Sequence, residues 1–301
     1  MAGSSAPLRR LGAELRRLRE ATGRTQADVG GAIGRTHATM VNWELGKTKI
    51  SKSDLVCLLA ELRAPTDVRK DLERLRDEIN QTSGQWATYG LPDWLRPLFS
   101  FEQDATAVTT FEPTLIPGLL QTEDYARTIH IAGPHITAPP FVERWVAARM
   151  QRQQRLAGKN AIKVHALIAE SALRLQVSGP TLMVAQLRKV LEVARRRNVT
   201  VQVVPAERGA HPAVHSNMTV LHFADARADP PLGYFDGPLG GYLISDPGDV
   251  ASMISMLDDV RRVALAPHES TDMIAAILEE YQKKGGDDGG DVRDEVAQVQ
   301  P

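Results

Sequence analysis

Residues 25–47, TQADVGGAIGRTHATMVNWELGK, predict two short helices joined by a tight turn. Thr25 has the residue type and position of an N-cap for the first helix. Gly34 interrupts the apolar pattern, and Thr36 then caps a second helix that runs to about Leu45. Two short helices cannot enclose a core by themselves, so the flanking sequence must supply further helices that pack against them.

The sequence on both sides of this pair predicts those helices. Leu8 to about Thr22 is amphipathic, and residues 51–63 form a second amphipathic stretch that Ser51 can cap. Each has a leucine stripe at helical spacing, formed by Leu8, Leu11, Leu15 and Leu18 in the first and by Leu55, Leu58, Leu59 and Leu62 in the second. We therefore expect a compact all-α domain of about five helices.

The second helix of the central pair has two different faces. Met40 and Trp43 are spaced to face the core, whereas the other side carries His37, Ala38, Thr39 and Asn42. In the first helix, a small or apolar face is expected from Ala27, Gly30 and Ile33. A short polar helix held outward by a small helical core suits reading of the DNA major groove.

Residues 8–64 resemble the helix-turn-helix domain of the XRE family, the phage-repressor type. The resemblance rests on Gln26, Gly34, Thr36, Trp43, Glu44, Gly46 and Lys47. It implies that bases are read by His37, Ala38 and Asn42, and that phosphates are contacted by Gln26, Thr36 and Lys47. From side-chain chemistry, Asn42 suits adenine, Thr39 can contact a thymine methyl group or a phosphate, and Arg24 can join the phosphate contacts.

Two positions depart from the family pattern. Gly30-Gly31 replaces the usual alanine and polar residue, and Arg35 stands where an apolar turn residue is common. A glycine inside a helix costs about 0.5–1 kcal/mol. These departures predict weaker DNA binding than is usual for the family.

Charge is distributed unevenly along the 301 residues. Residues 1–64 hold 11 Lys/Arg and 6 Asp/Glu, a net charge of +5, whereas the remainder holds 25 against 31, a net charge of −6. The length allows two domains, and a basic module in front of an acidic body places the nucleic-acid contact at the N-terminal end.

Other features bear on the setting of the protein. No run of about 18 apolar residues is present, and the N-terminus lacks an apolar signal-peptide region, so neither a membrane span nor secretion is expected. The single cysteine, Cys57, lies in an apolar run and is interpreted as a buried, inert thiol. A reducing cytoplasm fits these features.

The rest of the chain predicts an α+β body. We expect an XRE-type domain over 1–64, a linker with an amphipathic helix over 65–94, a regulatory domain over 95–284 and a disordered acidic tail over 285–301. The helix at 66–81 is expected to form either a linker packed on the body or a dimer seam through Val68, Leu72, Leu75 and Ile79. The connection over 82–94 is turn-rich, and a helix should follow from Asp93 to about Ala107.

The body should contain a small mixed sheet flanked by helices. A βαβ-like unit is predicted by residues 162–169, 181–197 and 199–204, and further strands lie near 217–223, 232–236 and 239–244. Two closing helices are expected at 247–265 and 268–284.

Several segments of this body carry a second resemblance. They are FEPTLIPGLLQTEDYAR (111–127), AARMQRQQRL (147–156), AESALR (169–174), NVTVQVVP (198–205) and GAHP (209–212). Roughly residues 95–280 resemble the DUF5753 domain that follows XRE-type domains in many actinobacterial regulators. That family is described as antitoxin-like and is often encoded beside a small DUF397 protein, which implies a small partner protein.

A partner or a small-molecule effector is expected to bind in a groove between the 109–127 segment and the sheet. The residues expected in this region are Glu112, Pro117, Gln121, Tyr125, Arg127, Glu170 and His211. Glu170 is also expected to form a structural ion pair, either with Arg174 or with the basic helix at 144–155, rather than to act as a catalytic carboxylate.

The sequence shows no pattern that supports catalysis or a bound cofactor. His211 and His215 are four residues apart, but Pro212 prevents a regular helix and no cysteine or carboxylate cluster accompanies them, so no metal site is expected. Nucleophile, Walker-type and zinc-protease motifs are missing, so an enzyme is not expected.

Two functions remain as hypotheses. The first is a homodimeric, sequence-specific regulator that binds an operator in double-stranded DNA. The alternative is an antitoxin-like interaction module that neutralises a small cognate partner, with DNA binding secondary, and its sequence support is Gly30-Gly31 and Arg35.

Overall fold

The first part of the chain is entirely helical. The computed structural model describes residues 6–87, 89–92, 94–133, 139–226, 229–237 and 240–287. Six helices come first along the chain: α1 (Ala6–Ala21), α2 (Gln26–Ala32), α3 (His37–Glu44), α4 (Lys52–Glu61), α5 (Thr66–Ala87) and α6 (Arg96–Asp104). The predicted helix pair is therefore confirmed as α2 and α3.

Strands and helices alternate in the rest of the chain. The strands are β1 (Ala107–Glu112), β2 (Lys163–Ala169), β3 (Val199–Val204), β4 (Met218–His222), β5 (Leu232–Gly237) and β6 (Gly240–Ile244). The helices are α7 (Glu123–Ile131), α8 (Pro139–Gln153), α9 (Glu170–Arg174), α10 (Pro180–Ala194), α11 (Pro247–Val263) and α12 (Pro267–Asp287). Short 3₁₀ turns lie at Gly118–Leu120, Gln154–Leu156 and Ala206–Arg208.

The strands form one six-stranded sheet in the order β3-β2-β1-β4-β5-β6. β1 pairs in parallel with β2, and β2 pairs in parallel with β3, so β2, α10 and β3 form the predicted βαβ unit. β5 and β6 form an antiparallel hairpin. The sheet is therefore mixed, and the predicted fold class, a helix-turn-helix domain followed by an α+β domain, is confirmed.

The chain folds as two compact units whose boundaries do not follow the chain order. The first comprises the residues up to Thr106 together with Leu221–Pro247, and the second comprises Ala107–Val220 together with the residues from Gly248 onward. The first unit thus combines the N-terminal helices with a segment that comes from much later in the sequence.

The N-terminal helices share one apolar core. Its buried side chains include both predicted leucine stripes as well as Val29, Met40 and Trp43. Leu72 and Ile79 of α5 are buried in the same core, and Val68 and Leu75 pack against it. The α5 stripe is therefore used within its own helical domain, a packing that neither expected alternative, the body or a dimer seam, included.

The ends of several helices differ from the predictions. α5 continues to Ala87, through the first part of the predicted turn-rich connection, because a single glycine costs only about 1 kcal/mol and no proline interrupts the helix there. α6 begins at Arg96, with a proline in its first turn, and ends at Asp104, so the helix predicted from Asp93 to about Ala107 was too long at both ends. α12 extends to Asp287, three residues into the predicted tail; residues 288–301 lie outside the described residues, as do residues 1–5.

Two predictions of burial were wrong. Cys57 is exposed, because the buried stripe of α4 runs through Leu55, Leu58 and Leu59 and Cys57 points away from it. In α2 the buried residues are Val29 and Gly30, whereas Ala27 is exposed. In α4 the predicted inward face was correct and Cys57 lies outside it, whereas in α2 the inward face includes Val29 rather than Ala27. No helix within the described residues is both long and apolar enough to cross a membrane.

Candidate nucleic-acid interface

Helix α3 is short, and both of its ends are held by local hydrogen bonds. At its start, the Thr36 side chain accepts a hydrogen bond from the Thr39 backbone N–H at 3.2 Å. At its end, Gly46 adopts a φ of 61°, and its N–H donates to the Trp43 carbonyl at 3.0 Å. The Lys47 N–H donates to the Asn42 carbonyl at 2.8 Å, which completes a Schellman-type end.

Helix α2 begins with a reciprocal cap. The Thr25 side chain accepts from the Asp28 backbone N–H, and the Asp28 carboxylate accepts from the Thr25 N–H at 3.2 Å and from its hydroxyl at 2.7 Å. These hydrogen bonds, the one from the hydroxyl first, lower the pKa of Asp28. This is the capping box that the sequence pattern TQAD favours, although only Thr25 was predicted as a cap.

Helices α2 and α3 approach each other closely at Gly30. A β-carbon at this position would lie 2.9 Å from the Arg35 carbonyl oxygen and 3.0 Å from Met40 Cγ. A β-carbon at Gly31 would meet nothing within 4 Å. Gly30 is therefore a packing requirement of the turn between the two helices, whereas Gly31 is not.

Helix α1 packs equally closely on the C-terminal end of α3. A β-carbon at Gly12 would lie 2.7 Å from the Glu44 carbonyl oxygen, and one at Gly46 would lie 2.6 Å from Arg9 Cα. Backbone-to-backbone contacts of this kind leave no side chain that could adjust. The position of α3 is thus determined by α1 as well as by α2.

A buried ion pair near the C-terminal end of α3 joins α1, α2 and α3. Arg19 of α1 donates to both carboxylate oxygens of Glu44, at 2.6 and 2.9 Å, and the Gln26 side chain of α2 donates to the same carboxylate at 2.8 Å. The Glu44 side chain is 1% exposed. Gln26 was predicted to contact phosphate, and in this structure its side-chain nitrogen contributes to the network around Glu44.

The predicted base-reading residues lie on the side of α3 away from the core. His37 and Ala38 are exposed, and Thr39 and Asn42 are partly exposed, while Met40 and Trp43 on the opposite face are buried. The predicted separation of the two faces is therefore confirmed.

The cations around α3 fall into two groups. Arg24 pairs with Glu61 at 2.5 Å, and Arg35 pairs with Asp54 at 2.8 Å, so both link the helix pair to α4. Lys47 is exposed, as predicted for a phosphate contact. Sequence reasoning did not single out Lys49 and Lys52, which are also exposed and follow Lys47 in the run KTKISK. This run of lysines is the sequence signal that could have identified Lys49 and Lys52 as further candidate phosphate contacts.

In the second unit, the expected partner or effector region contains a tightly bonded turn. Tyr125 is fully buried, and its hydroxyl accepts a hydrogen bond from the Ile116 N–H at 3.2 Å. Gln121 is 2% exposed; its side chain donates to the Ile116 carbonyl at 2.6 Å and accepts from Arg149 at 2.5 Å. Burial raises the pKa of Tyr125 to about 12. Pro117 is also buried and directly precedes the 3₁₀ turn.

Two glutamines that sequence reasoning missed hold the same turn. Gln186 of α10 is fully buried; it accepts from the Thr122 N–H at 2.7 Å and donates to the Leu120 carbonyl at 2.8 Å. Gln153 donates to the carbonyls of Gly118 and Gln121. The conformation of the turn over 116–122 is therefore held by side chains from α8 and α10, which no local pattern could have indicated.

The other residues of the expected region lie in separate contacts. Arg127 pairs with Glu123, Asp124 and Glu143 at 2.6 to 2.8 Å, and the hydrogen bonds to Glu143 and then to Glu123 raise its pKa. Glu112 is half-buried at the end of β1.

Glu170 and His211 also have identified neighbours. Glu170 pairs with Arg174 at 2.6 Å, the first of its two expected partners, and accepts from the Ala206 N–H at 3.0 Å. The backbone hydrogen bond, followed by that of Arg174, lowers the pKa of Glu170. The His211 ring lies edge-on to Phe111 at 5.1 Å, and burial lowers its pKa. No group of three or more His, Cys, Asp or Glu side chains that could hold a metal ion occurs among the residues described.

Comparison with known proteins matches both parts of the chain to family models. The model described as a domain of unknown function (DUF5753) matches residues 95–276, which is more than half of the chain. The model described as a helix-turn-helix domain matches residues 10–72. No curated protein and no solved structure matches the chain.

Proposed function

We propose that this chain, which belongs to the DUF5753 family and carries a helix-turn-helix domain, is a sequence-specific DNA-binding transcriptional regulator. The observation that best supports this proposal is the geometry of α3. Its ends are capped by Thr36 and Gly46, its rear is fixed through buried Glu44, and its polar face is open to solvent. A short helix of this kind fits the DNA major groove.

In this proposal, the exposed side of α3 reads bases and the surrounding residues set the register. His37, Ala38 and Asn42 face base edges, with Asn42 suited to adenine, and Thr39 contacts a thymine methyl group or a phosphate. Lys47, the cap residue Thr36 and the N-terminal end of α2 at Gln26 contact phosphates. Arg24 contributes its charge from its ion pair with Glu61.

The finer assignment is an XRE-type regulator that acts as a homodimer in the cytoplasm, as in the actinobacterial proteins that the sequence resembles. Dimeric helix-turn-helix proteins read two half-sites about one helical turn apart. The DUF5753 domain then controls DNA binding by taking up a small partner protein of the DUF397 type or, alternatively, a small-molecule effector. The buried turn at Pro117, Gln121 and Tyr125 would serve as a rigid support for the binding region. Arg127, Glu170 and His211 are less buried and would contact the partner or effector.

The antitoxin-like alternative loses most of its sequence support. It relied on Gly30-Gly31 and Arg35 as signs of weakened DNA reading. Gly30 is needed where α2 meets α3, and Arg35 is paired with Asp54, so both have a role within a normal helix pair. The regulator is therefore the better supported function.

A fluorescence-anisotropy titration tests the proposal. Full-length protein is titrated onto DNA from upstream of its own gene and onto scrambled DNA of the same composition, at several salt concentrations. We expect a preference of about 10³-fold or more for the upstream DNA, with affinity falling as salt rises. Weak and equal binding to both DNAs would contradict the proposal.

A further inference from the structure

The first helix of the helix-turn-helix domain is bonded to a residue more than two hundred positions away. Arg10 Nε donates to Asp229 Oδ2 at 2.9 Å, across 219 positions of sequence. The Asp229 side chain is 5% exposed, whereas that of Arg10 is 49% exposed. The carboxylate is thus the buried member of the pair, and a buried carboxylate requires a cationic partner.

The neighbouring residue, Arg9, is held between two aromatic rings. Its Cζ lies 4.9 Å from the ring centroid of Phe101 and 5.5 Å from that of Phe223. The two rings contact each other edge to face at 6.2 Å. A guanidinium over ring faces is attracted more strongly when water is excluded, and two of the Arg9 nitrogens are buried without a hydrogen-bond partner in the described part of the chain.

Arg9 and Asp229 also interact electrostatically. Burial lowers the pKa of Arg9, and the negative charge of Asp229 acts in the opposite direction. We call Arg9, Arg10, Phe101, Phe223 and Asp229 the α1 latch. All five belong to the same compact unit, which contains the N-terminal helices and the segment Leu221–Pro247.

The latch acts on the part of α1 that contacts the recognition helix α3. Arg9 Cα is the atom against which Gly46 packs, and Gly12, one turn of helix later, packs against the carbonyl end of α3 at Glu44. These contacts leave no room for a β-carbon on either glycine. A displacement of α1 at Arg9 therefore displaces the C-terminal end of α3.

We propose that Phe223 and Asp229, which lie in the DUF5753 part of the sequence, are positioning residues for DNA reading and hold α3 in place through α1. The DUF5753 match spans residues 95–276 and so includes both. A partner or effector that shifts the segment Leu221–Pro247 would thereby alter operator affinity. The inference rests on the proposed function for its DNA readout, but the latch itself can be tested without DNA.

The first test is hydrogen–deuterium exchange of the full-length protein without DNA. Phe223→Leu removes a ring face without changing charge, and Asp229→Asn removes the carboxylate charge. The matched control is Arg17→Gln on the same helix, since among the described residues Arg17 makes an exposed ion pair with Glu14 and no contact with the latch. We expect about tenfold faster exchange over α1 and α3 in both latch variants, with β2 unchanged, and no change in the control.

The second test is operator discrimination by the same variants. We expect the preference for operator over scrambled DNA to fall about tenfold in both latch variants and to remain in Arg17→Gln. The salt dependence of Phe223→Leu should match that of the wild type, because no charge changes. The double variant Arg10→Gln/Asp229→Asn should lose no more operator preference than the more affected of the single variants Arg10→Gln and Asp229→Asn, since both substitutions disrupt the same ion pair.

Three outcomes decide the inference. Exchange over α3 and discrimination that match the wild type in both latch variants would overturn it. A uniform rise in exchange that includes β2 would also overturn it, because it would indicate general loss of folding rather than positioning. A wild-type protein without operator preference would contradict the proposed function alone, and the exchange rates over α1 and α3 would still decide whether the latch exists.

Discussion

Arg19 and Glu44, 25 positions apart, form a bidentate ion pair between α1 and the C-terminal end of α3. The Nε–Oε1 and Nη2–Oε2 distances are 2.6 and 2.9 Å, and the two side chains are 11% and 1% exposed. Gln26 donates to the same carboxylate, and Arg19 also donates to the Arg24 carbonyl at 2.9 Å. One carboxylate therefore ties α1, α2 and α3 together, and the domain should be sensitive to its removal.

Replacing Glu44 by alanine should strongly destabilise the helical domain. Arg19 would remain charged and largely buried without the carboxylate that accepts both of its short hydrogen bonds, and the Glu20 carboxylate, 3.7 Å away, would compensate in part. Breaking a buried ion pair in this way should lower the free energy of unfolding by about 3 kcal/mol. Urea unfolding followed by far-UV circular dichroism measures this loss. The control is Glu14→Ala, which breaks a more exposed pair with Arg17 and should cost less than about 1 kcal/mol. Equal losses in the two variants would show that the buried pair has no special role.

The adjacent glycines of α2 should respond oppositely to alanine. Gly31→Ala should raise the free energy of unfolding by about 0.5–1 kcal/mol, because a methyl group there meets open space and restricts the unfolded chain. Gly30→Ala should lower it by about 1–3 kcal/mol, because the methyl group would press on the Arg35 carbonyl and on Met40. Thermal unfolding of both variants and of the wild type shows whether each substitution raises or lowers the stability. Stabilisation by both substitutions would contradict the packing role of Gly30.

Features set by neighbouring residues could be predicted from the sequence. Thr25, Thr36 and Ser51 were each identified as helix caps, and each side chain accepts the expected backbone hydrogen bond. A cap depends on residues two or three positions away, so its signal is contained in a short stretch of sequence. The amphipathic stripe of α1 was predicted for a similar reason.

Features set by distant residues could not be predicted. Arg10 meets Asp229 across the chain, and Gln186 binds the backbone on both sides of Gln121 from another helix. The α5 stripe was identified correctly as apolar, but periodicity shows only that a face is buried, not what covers it. The Gly30 contact likewise depends on how closely α2 approaches α3, which no single-sequence pattern reveals.

The proposed base and phosphate contacts should be separable by mutation. Asn42→Ala should lower affinity for the best operator by about 1–3 kcal/mol and relax preference at one base pair. Lys47→Gln should instead weaken binding to all sequences alike and reduce the salt slope by about one unit. Competition titrations against operators with single base changes, repeated at several salt concentrations, distinguish the two effects.

The control for the charge change is Lys70→Gln, since Lys70 is an exposed lysine of α5 outside the proposed interface. It should leave both affinity and salt slope close to those of the wild type. If Asn42→Ala kept full discrimination at every position, the assignment of Asn42 to a base edge would be wrong. If Lys47→Gln behaved like Lys70→Gln, the phosphate contact would be wrong.

His130 should make the second unit acid-sensitive. Its ring lies edge-on to Trp145 at 5.6 Å, and its Nε2 is buried without a hydrogen-bond partner among the residues that the structure describes. Burial, helped by the positive charge of Arg149, lowers the pKa of His130 to about 3 from its usual 6.5. The folded state therefore keeps the ring neutral at a pH at which the unfolded state binds a proton.

Stability should consequently fall as the pH drops from about 6.5 toward 3, with no contribution from this group above that range. Between pH 7 and pH 5 the loss due to His130 should be about 2 kcal/mol. Urea unfolding at both pH values measures it in the wild type and in His130→Gln, whose side chain does not titrate and whose stability should depend less on pH. His215→Gln, at an exposed histidine of the same unit, should retain the wild-type dependence. An unchanged acid dependence in His130→Gln would show that His130 is protonated in the folded protein and that its burial does not exclude the charged form.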